Sequence, residues 1–254
     1  MIRRIRGGSG LGDSLYVQSV ARHLVSRGVD LEVCSDWPEV FQNLPVTLVP
    51  FSRANIDYLA HYSKRKEENT DQFVDCCLQA GIKESVNLTL DWKTRDTRLT
   101  QSLADKRILL VHGGREPMAR KDRFGRELLP NEHVFNRILE SLHDVYYIVQ
   151  IGSGAQLYPL KHVDLDLTNK TSVSDLFDLA SIAKRFMGQV SFIIPLAESF
   201  DKKALIVWAH KGLSSQERYI ARIIPQKILH KVTCSYVVDN WPDEKLEKTL
   251  IELV

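Results

Sequence analysis

The chain has 254 residues, 44% of them hydrophobic and 26% charged, an ordinary globular balance that excludes a disordered or fibrous protein and gives room for two small α/β domains. Thirty-four Lys/Arg against 32 Asp/Glu leave a net charge of +2, too small for nucleic-acid binding through overall charge. No apolar run reaches the roughly 18–20 residues that span a bilayer, and the basic start Met1–Arg6 lacks the apolar stretch of a signal peptide, so the expected location is the cytoplasm.

In chain order, Ile2–Arg6 predicts a strand, followed by the glycine-rich turn Gly7–Gly12. Ser14–Arg27 carries Leu15, Val17, Val20, Ala21, Leu24 and Val25 at helical spacing, with Gly28 as its stop. Leu31–Cys34 and Val46–Val49 predict the second and third strands. Ile56–Tyr62 and Gln72–Ala80 predict helices on either side of the charged run Lys64–Glu68, and Val86–Leu90 a further strand. The polar segment Asp91–Asp105 is the expected crossing between two halves.

The pattern then restarts. Arg107–Val111 predicts a strand ending in His112-Gly113-Gly114, and Glu132–Leu142 a helix. Tyr146–Ile151 predicts a strand ending in Gly152-Ser153-Gly154, Ser174–Ala183 a helix, Ala204–Trp208 a buried strand and Asp243–Leu253 an amphipathic helix. Strand, turn and helix repeated in this order build parallel sheets with a ligand cleft at the strands' carboxyl ends. The expected division is two Rossmann-like units, over 1–100 and 101–254, with the terminal helix free to return to the first.

Gly7-Gly8-Ser9-Gly10-Leu11-Gly12-Asp13-Ser14 fails two familiar readings. A dinucleotide fingerprint needs glycine where Asp13 stands, and a P-loop needs lysine there; a carboxylate would repel the phosphate. A third reading is a carboxylate held at a helix start. Asp13 then either caps the helix or serves as a general base at the cleft mouth, and position alone leaves both open.

Gly12-Asp13-Ser14-Leu15 resembles the Gly-Asp-x-Leu signature of glycosyltransferase family nine, the lipopolysaccharide heptosyltransferases. Ile108–Gly114 resembles that family's strand leading into His-Pro-Gly, without the proline. Asp166-Leu167-Thr168-Asn169-Lys170-Thr171-Ser172 resembles its Asp-Leu-Thr-Gly-Lys-Thr-Ser, and Val173–Ala183 its following helix. Phe186-Met187-Gly188 stands where the family has a strand and a Gly-Asn-Asp-Ser-Gly loop. Here the loop continues Gln189-Val190-Ser191-Phe192, so the aspartate and the last glycine are replaced.

The resemblance covers roughly residues 1–30 and 105–210. It implies a GT-B fold, α/β with two Rossmann-like domains facing across a cleft, the acceptor domain over 1–100 and the nucleotide-sugar domain over 101–254, and an inverting, metal-independent transfer without a cofactor beyond the nucleotide-sugar co-substrate. Asp13 becomes the base. The donor-binding residues become Gly12, Gly113, Gly114, Arg115, Lys121, Gly152, Ser153, Lys170, Thr171, Gly188, Gln189 and Ser191. Lys121 is the expected phosphate contact within the basic cluster Arg115, Arg120, Lys121, Arg123 and Arg126. Thr171 or Ser172 either caps the following helix or helps its N–H groups meet a phosphate, and Glu198 either reaches the donor ribose or faces solvent.

The acceptor stays open between a surface glycan or lipopolysaccharide and hydroxymethylated phage DNA. The short first half gives no support to a lipid A core acceptor. The alternative is a non-catalytic GT-B-like module that binds a nucleotide or glycan, motivated by the aspartate lost at Val190. The histidines show no metal spacing; Cys34, Cys76, Cys77 and Cys234 read as reduced thiols. Tyr146, Tyr147, Trp208 and Trp241 read as packing residues rather than a sugar platform.

Overall fold

The computed structural model describes residues 2–50, 55–59, 72–113, 132–154, 159–189, 191–208, 235–238 and 240–251. The first unit runs β1 (Arg3–Arg6), α1 (Leu11–Ser26), β2 (Leu31–Cys34), a 3-10 turn at Pro38–Phe41, β3 (Thr47–Leu48) and β4 (Asp57–Tyr58). Its sheet has the order β3-β2-β1-β4, with every pairing parallel. Helices α2 (Gln72–Gln79) and α3 (Arg98–Leu103) follow.

The second unit contains β5 (Ile108–His112), α4 (Glu132–His143), β6 (Tyr147–Gln150), β7 (Leu165–Asp166), α5 (Val173–Ile182) and β8 (Arg185–Gln189). It continues through α6 (Ile193–Ser199), β9 (Lys203–Trp208), β10 (Ser235–Val238) and α7 (Asp243–Ile251). Its parallel sheet has the order β10-β9-β8-β5-β6-β7. Counted within the unit that is 6-5-4-1-2-3, the doubly wound nucleotide-binding order; the first sheet repeats its 3-2-1-4 portion.

The strands of the second sheet are apolar on both faces because helices cover both. Ile108, Leu110, Phe186, Ala204 and Ile206 point into a core that also holds Ile5 and Val33 of the first sheet. The intervening residues Leu109, Val111, Met187, Leu205 and Val207 point the other way, onto Phe135, Ile138 and Leu139 of α4 and Leu246 and Leu250 of α7. Arg137 adds ion pairs to Asp243 and Glu247, so the terminal helix lies on the second unit rather than returning to the first. Trp208 and Tyr146 are buried, as their packing role requires.

Helix α1 stops where the sequence says it should. Gly28 is left-handed at φ +77°, its N–H donates to Val25 O, and Val29 N–H donates to Leu24 O, a complete Schellman motif. Three expectations need correction. Helix α1 begins at Leu11, so the glycine turn is shorter than Gly7–Gly12. Residues 57–58, expected within a helix, form a strand beside β1, and Leu59 N–H donates to Arg6 O at 2.7 Å; the open side of β1 outweighs a local helical pattern. Residues 86–90 join no ladder. They lie along α1, where the Ser19 hydroxyl donates to Thr89 O and accepts from Thr89 N–H, while Leu90 N–H donates to Ser199 O.

The crossing segment is fastened by one buried carboxylate. Asp178 of α5 is 1% exposed. Its Oδ1 accepts Trp92 Nε1–H at 2.9 Å and Arg95 N–H at 3.0 Å, and its Oδ2 accepts Arg95 Nε–H at 2.8 Å. Arg95 also reaches Asp175 at 2.6 Å. Replacing Asp178 with alanine strands the partly buried Trp92 indole N–H and the Arg95 backbone N–H. Asp178→Ala is expected to lose about 2–4 kcal/mol in urea unfolding, with Asp178→Asn losing less because an amide oxygen still accepts.

Candidate functional site

The turn between β1 and α1 is shaped by contacts that exclude side chains. A β-carbon on Gly7 would strike Val17, and one on Gly8 would collide with the Asp13 carboxylate. Asp13 is the third residue of α1, half-buried, with Oδ2 accepting the Gly10 N–H at 3.2 Å. A carboxylate there meets the positive end of the helix. The turn is also gripped from outside: Trp37 Nε1–H donates to Ser9 O at 2.8 Å. Trp37 N–H donates to Ser35 Oγ, whose hydroxyl lies 3.1 Å from that of Ser14.

In the second sheet the strand order reverses between β5 and β8, the place where doubly wound sheets open a crevice at their carboxyl ends. His112 pairs with Gly188 there. A β-carbon on Gly188 would lie 3.0 Å from His112 O and 3.2 Å from Ile193; one on Gly113 would meet Leu160 at 2.9 Å, so both glycines permit close approach. His112 is 4% exposed, its Nδ1 3.4 Å from Ser191 Oγ and its ring edge-on to Phe192 with centroids 4.9 Å apart. Gln189 is buried at the end of β8.

The two strand ends come together through Gly12. A β-carbon at Gly12 would lie 3.1 Å from Pro195 Cγ and 3.2 Å from Phe192 Cα, so the first turn of α1 rests directly on the start of α6. Asp13, the next residue, turns its carboxylate back onto its own turn at the Gly10 N–H. Gly12 thus meets Phe192 and Pro195, while Gly188 and Gln189 end β8 and Ser191 lies in the loop before α6. Gly113 sits on the neighbouring strand end.

Gly152 and Ser153 form the turn after β6, one strand further along the same sheet edge. Lys170 folds back, its Nζ donating to Asp166 O at 2.8 Å. Thr171 precedes the cap of α5, and the cap itself is Ser172: its hydroxyl accepts Asp175 N–H, and Asp175 Oδ2 accepts Ser172 N–H. Glu198 is buried rather than facing solvent. Gly114, Arg115, Lys121 and Val190 lie outside the described residues, as does Cys234; Cys34, Cys76 and Cys77 are buried free thiols. Sequence reasoning had named neither Gly8 nor His112 as a site residue. The signal for His112 was its place as the last residue of an apolar strand before glycines.

Three solved structures share this architecture. A glycosyl transferase family 9 protein from Veillonella parvula superposes with a TM-score of 0.60 at 9% identity, over 93% of this chain and 85% of that one. The E. coli ADP-heptose lps heptosyltransferase II gives 0.57 at 13% identity, over 100% and 99%. The E. coli heptosyltransferase WaaC with ADP gives 0.58 at 10%, over 100% and 97%. The chain has the fold of these heptosyltransferases. No family model matches it, and no curated protein is similar to it in sequence. Among the described residues, no helix is long and apolar enough to cross a membrane, and no group of three or more His, Cys, Asp or Glu could hold a metal ion.

Gly8→Ala is expected to push the Asp13 carboxylate off its turn while leaving the melting temperature within a few degrees. Circular dichroism checks the fold, and turnover with a nucleotide sugar checks the site. A second expectation concerns acid. Burial pushes the Asp175 carboxyl up, but the Ser172 hydroxyl and N–H and the Arg95 guanidinium outweigh it and hold the pKa below its usual value. That stabilisation is complete at neutral pH and is lost as pH falls through about 4 and below. The melting-temperature gap between wild type and Asp175→Asn should therefore shrink steadily from pH 6 to pH 3.

Proposed function

We propose that the chain is an inverting glycosyltransferase that moves a sugar from a nucleotide-sugar donor to an acceptor hydroxyl, with Asp13 as general base. The observation that supports this reading is the contact of Gly12 with Phe192 and Pro195, which joins the first turn of α1 to the start of the helix that follows β8. The motif resemblance at Gly12–Leu15 and Asp166–Ser172 and the shared fold support it from two further directions.

In the proposed step the acceptor oxygen attacks the anomeric carbon from the face opposite the diphosphate. Its proton passes to the Asp13 carboxylate as the new C–O bond forms. The bond to the nucleoside diphosphate breaks, and the leaving group keeps the electron pair. A positioned base contributes ~10²–10⁴-fold to such a reaction. The leaving charge is met by N–H groups at Gly113 and the β8 loop and by basic residues after Gly114, Lys121 first among them. Inversion and metal independence come from the family resemblance, and so does the nucleotide sugar as sole co-substrate.

A surface glycan or lipopolysaccharide is the first acceptor class to test and hydroxymethylated DNA the second. One observation favours a non-catalytic reading. Phe192 stands where the resembled family has a glycine, and its ring covers an edge of His112. The two readings separate with a panel of nucleotide sugars. Asp13→Asn should lower nucleotide release or sugar transfer by about 10² or more. It should keep the thermal shift given by ADP or UDP, and activity should survive EDTA. A wild-type protein that gives a nucleotide shift but no turnover with either acceptor class is a binding module, and turnover that survives Asp13→Asn removes Asp13 from the chemistry.

A further inference from the structure

Asn169 stands where the resembled family carries glycine, and it is one of few non-glycine residues here with a left-handed backbone, at φ +58°. Asparagine tolerates that conformation better than most residues, but glycine adopts it at lower cost. What the asparagine adds is its side chain. Asn169 Oδ1 accepts the Gly154 N–H at 2.6 Å, and Asn169 Nδ2 donates to Gly154 O at 3.1 Å. Its own N–H donates to Gly152 O at 2.8 Å. Both backbone groups of Gly154, itself at φ +78°, are therefore held by one carboxamide, in the orientation that matches donor to acceptor at each end.

The platform behind the carboxamide is itself stiff. Leu167 N–H donates to Gln150 O, and Thr168 N–H donates to Asp166 Oδ1. Lys170 closes the same turn with its N–H on Leu167 O and its Nζ on Asp166 O. The turn after β7 is thus a rigid block, and its only side-chain reach towards the Gly152–Gly154 turn in these bonds is through Asn169.

We infer that Asn169 is a positioning residue that fixes the Gly152-Ser153-Gly154 turn as the wall receiving the ribose of the donor nucleotide. The inference rests on the glycosyltransferase reading for its occupant. Its geometry comes from the sheet. β6 neighbours β5, so the turn stands about 4.8 Å along the strand-end edge from the crevice at His112 and Gly188. In a doubly wound sheet the diphosphate lies at the switch point and the ribose over the end of the next strand. With Gly154 taken up by Asn169, the exposed Ser153 at the apex is the residue left to face the sugar.

The test uses the full chain with Asn169→Gly, which keeps the backbone conformation and removes the clamp. Asn169→Asp is the second variant; it keeps one acceptor and sets a carboxylate oxygen against Gly154 O. Amide exchange at Gly154, followed by NMR, should quicken about tenfold in Asn169→Gly with the β5 and β8 amides unchanged. ADP and UDP titrated by calorimetry should bind about tenfold more weakly, and KM for the nucleotide sugar should rise with kcat within about twofold. Unchanged exchange at Gly154 overturns the clamp. Faster exchange with unchanged nucleotide affinity overturns the ribose wall. A wild-type chain that binds neither ADP nor UDP sinks the glycosyltransferase reading and the wall with it, while the exchange result still decides the clamp.

Discussion

The close approach of α1 to α6 is the constraint on which the rest of the molecule depends. It is possible because residue 12 has no side chain: the backbone of Phe192 and the ring of Pro195 occupy the space a β-carbon would need. Around that point Leu11, Leu15, Ile193, Leu196 and Ala197 are buried in one continuous core with strands of both sheets. Burying each large aliphatic side chain is worth about 1.5–3 kcal/mol, so the seam is held by several such contributions at once. The same contact joins the first turn of α1 to the start of the helix that follows β8.

The crossing segment has a separate fastening, on α5. Asp178 gathers the indole of Trp92 and both the backbone and side chain of Arg95, and the buried carboxylate is tolerated because every one of these contacts is a donor. Thr94 and Ser181 place their hydroxyls 2.7 Å apart alongside. The chain between the two sheets is thus fastened to the second unit before β5 begins. An apolar seam with a pinned crossing opposes the wide hinge motion that a loose, polar interdomain contact would permit.

Much of this was legible in the sequence, and the exceptions have physical reasons. The apolar runs Leu31–Cys34, Ile108–Val111 and Ala204–Trp208 could only be buried strands, and Gly28 announced the end of α1 through the one backbone conformation that favours it. The two-residue strands at Asp57–Tyr58 and Leu165–Asp166 carry too few residues for a period, and pairing with a neighbour decides them. Helix α3 hides in a polar stretch because its stability comes from the Thr97–Thr100 capping pair rather than an apolar stripe. Asp13 was legible as a carboxylate at a helix start, and it does accept the Gly10 N–H there. Gly8 and Gly12 were legible as turn residues but not as contacts, since what excludes a side chain at each lies in coordinates, not in spacing. The reciprocal bonds of Asn169 join residues fifteen positions apart and leave no local trace.

The departures from the resembled family share one physical direction. At residue 169 and at residue 192 that family has glycine, the residue that leaves a turn most conformational freedom. Here Asn169 fills its position with a carboxamide that binds Gly154, and Phe192 fills its own with a ring seated on His112 while its backbone bears on Gly12. Each replacement exchanges backbone freedom for a side-chain contact with a neighbouring strand-end turn. A turn fixed before binding loses less entropy when a ligand arrives, and it accepts fewer shapes. At positions 169 and 192 side chains therefore restrain turns that glycine would leave to the backbone alone.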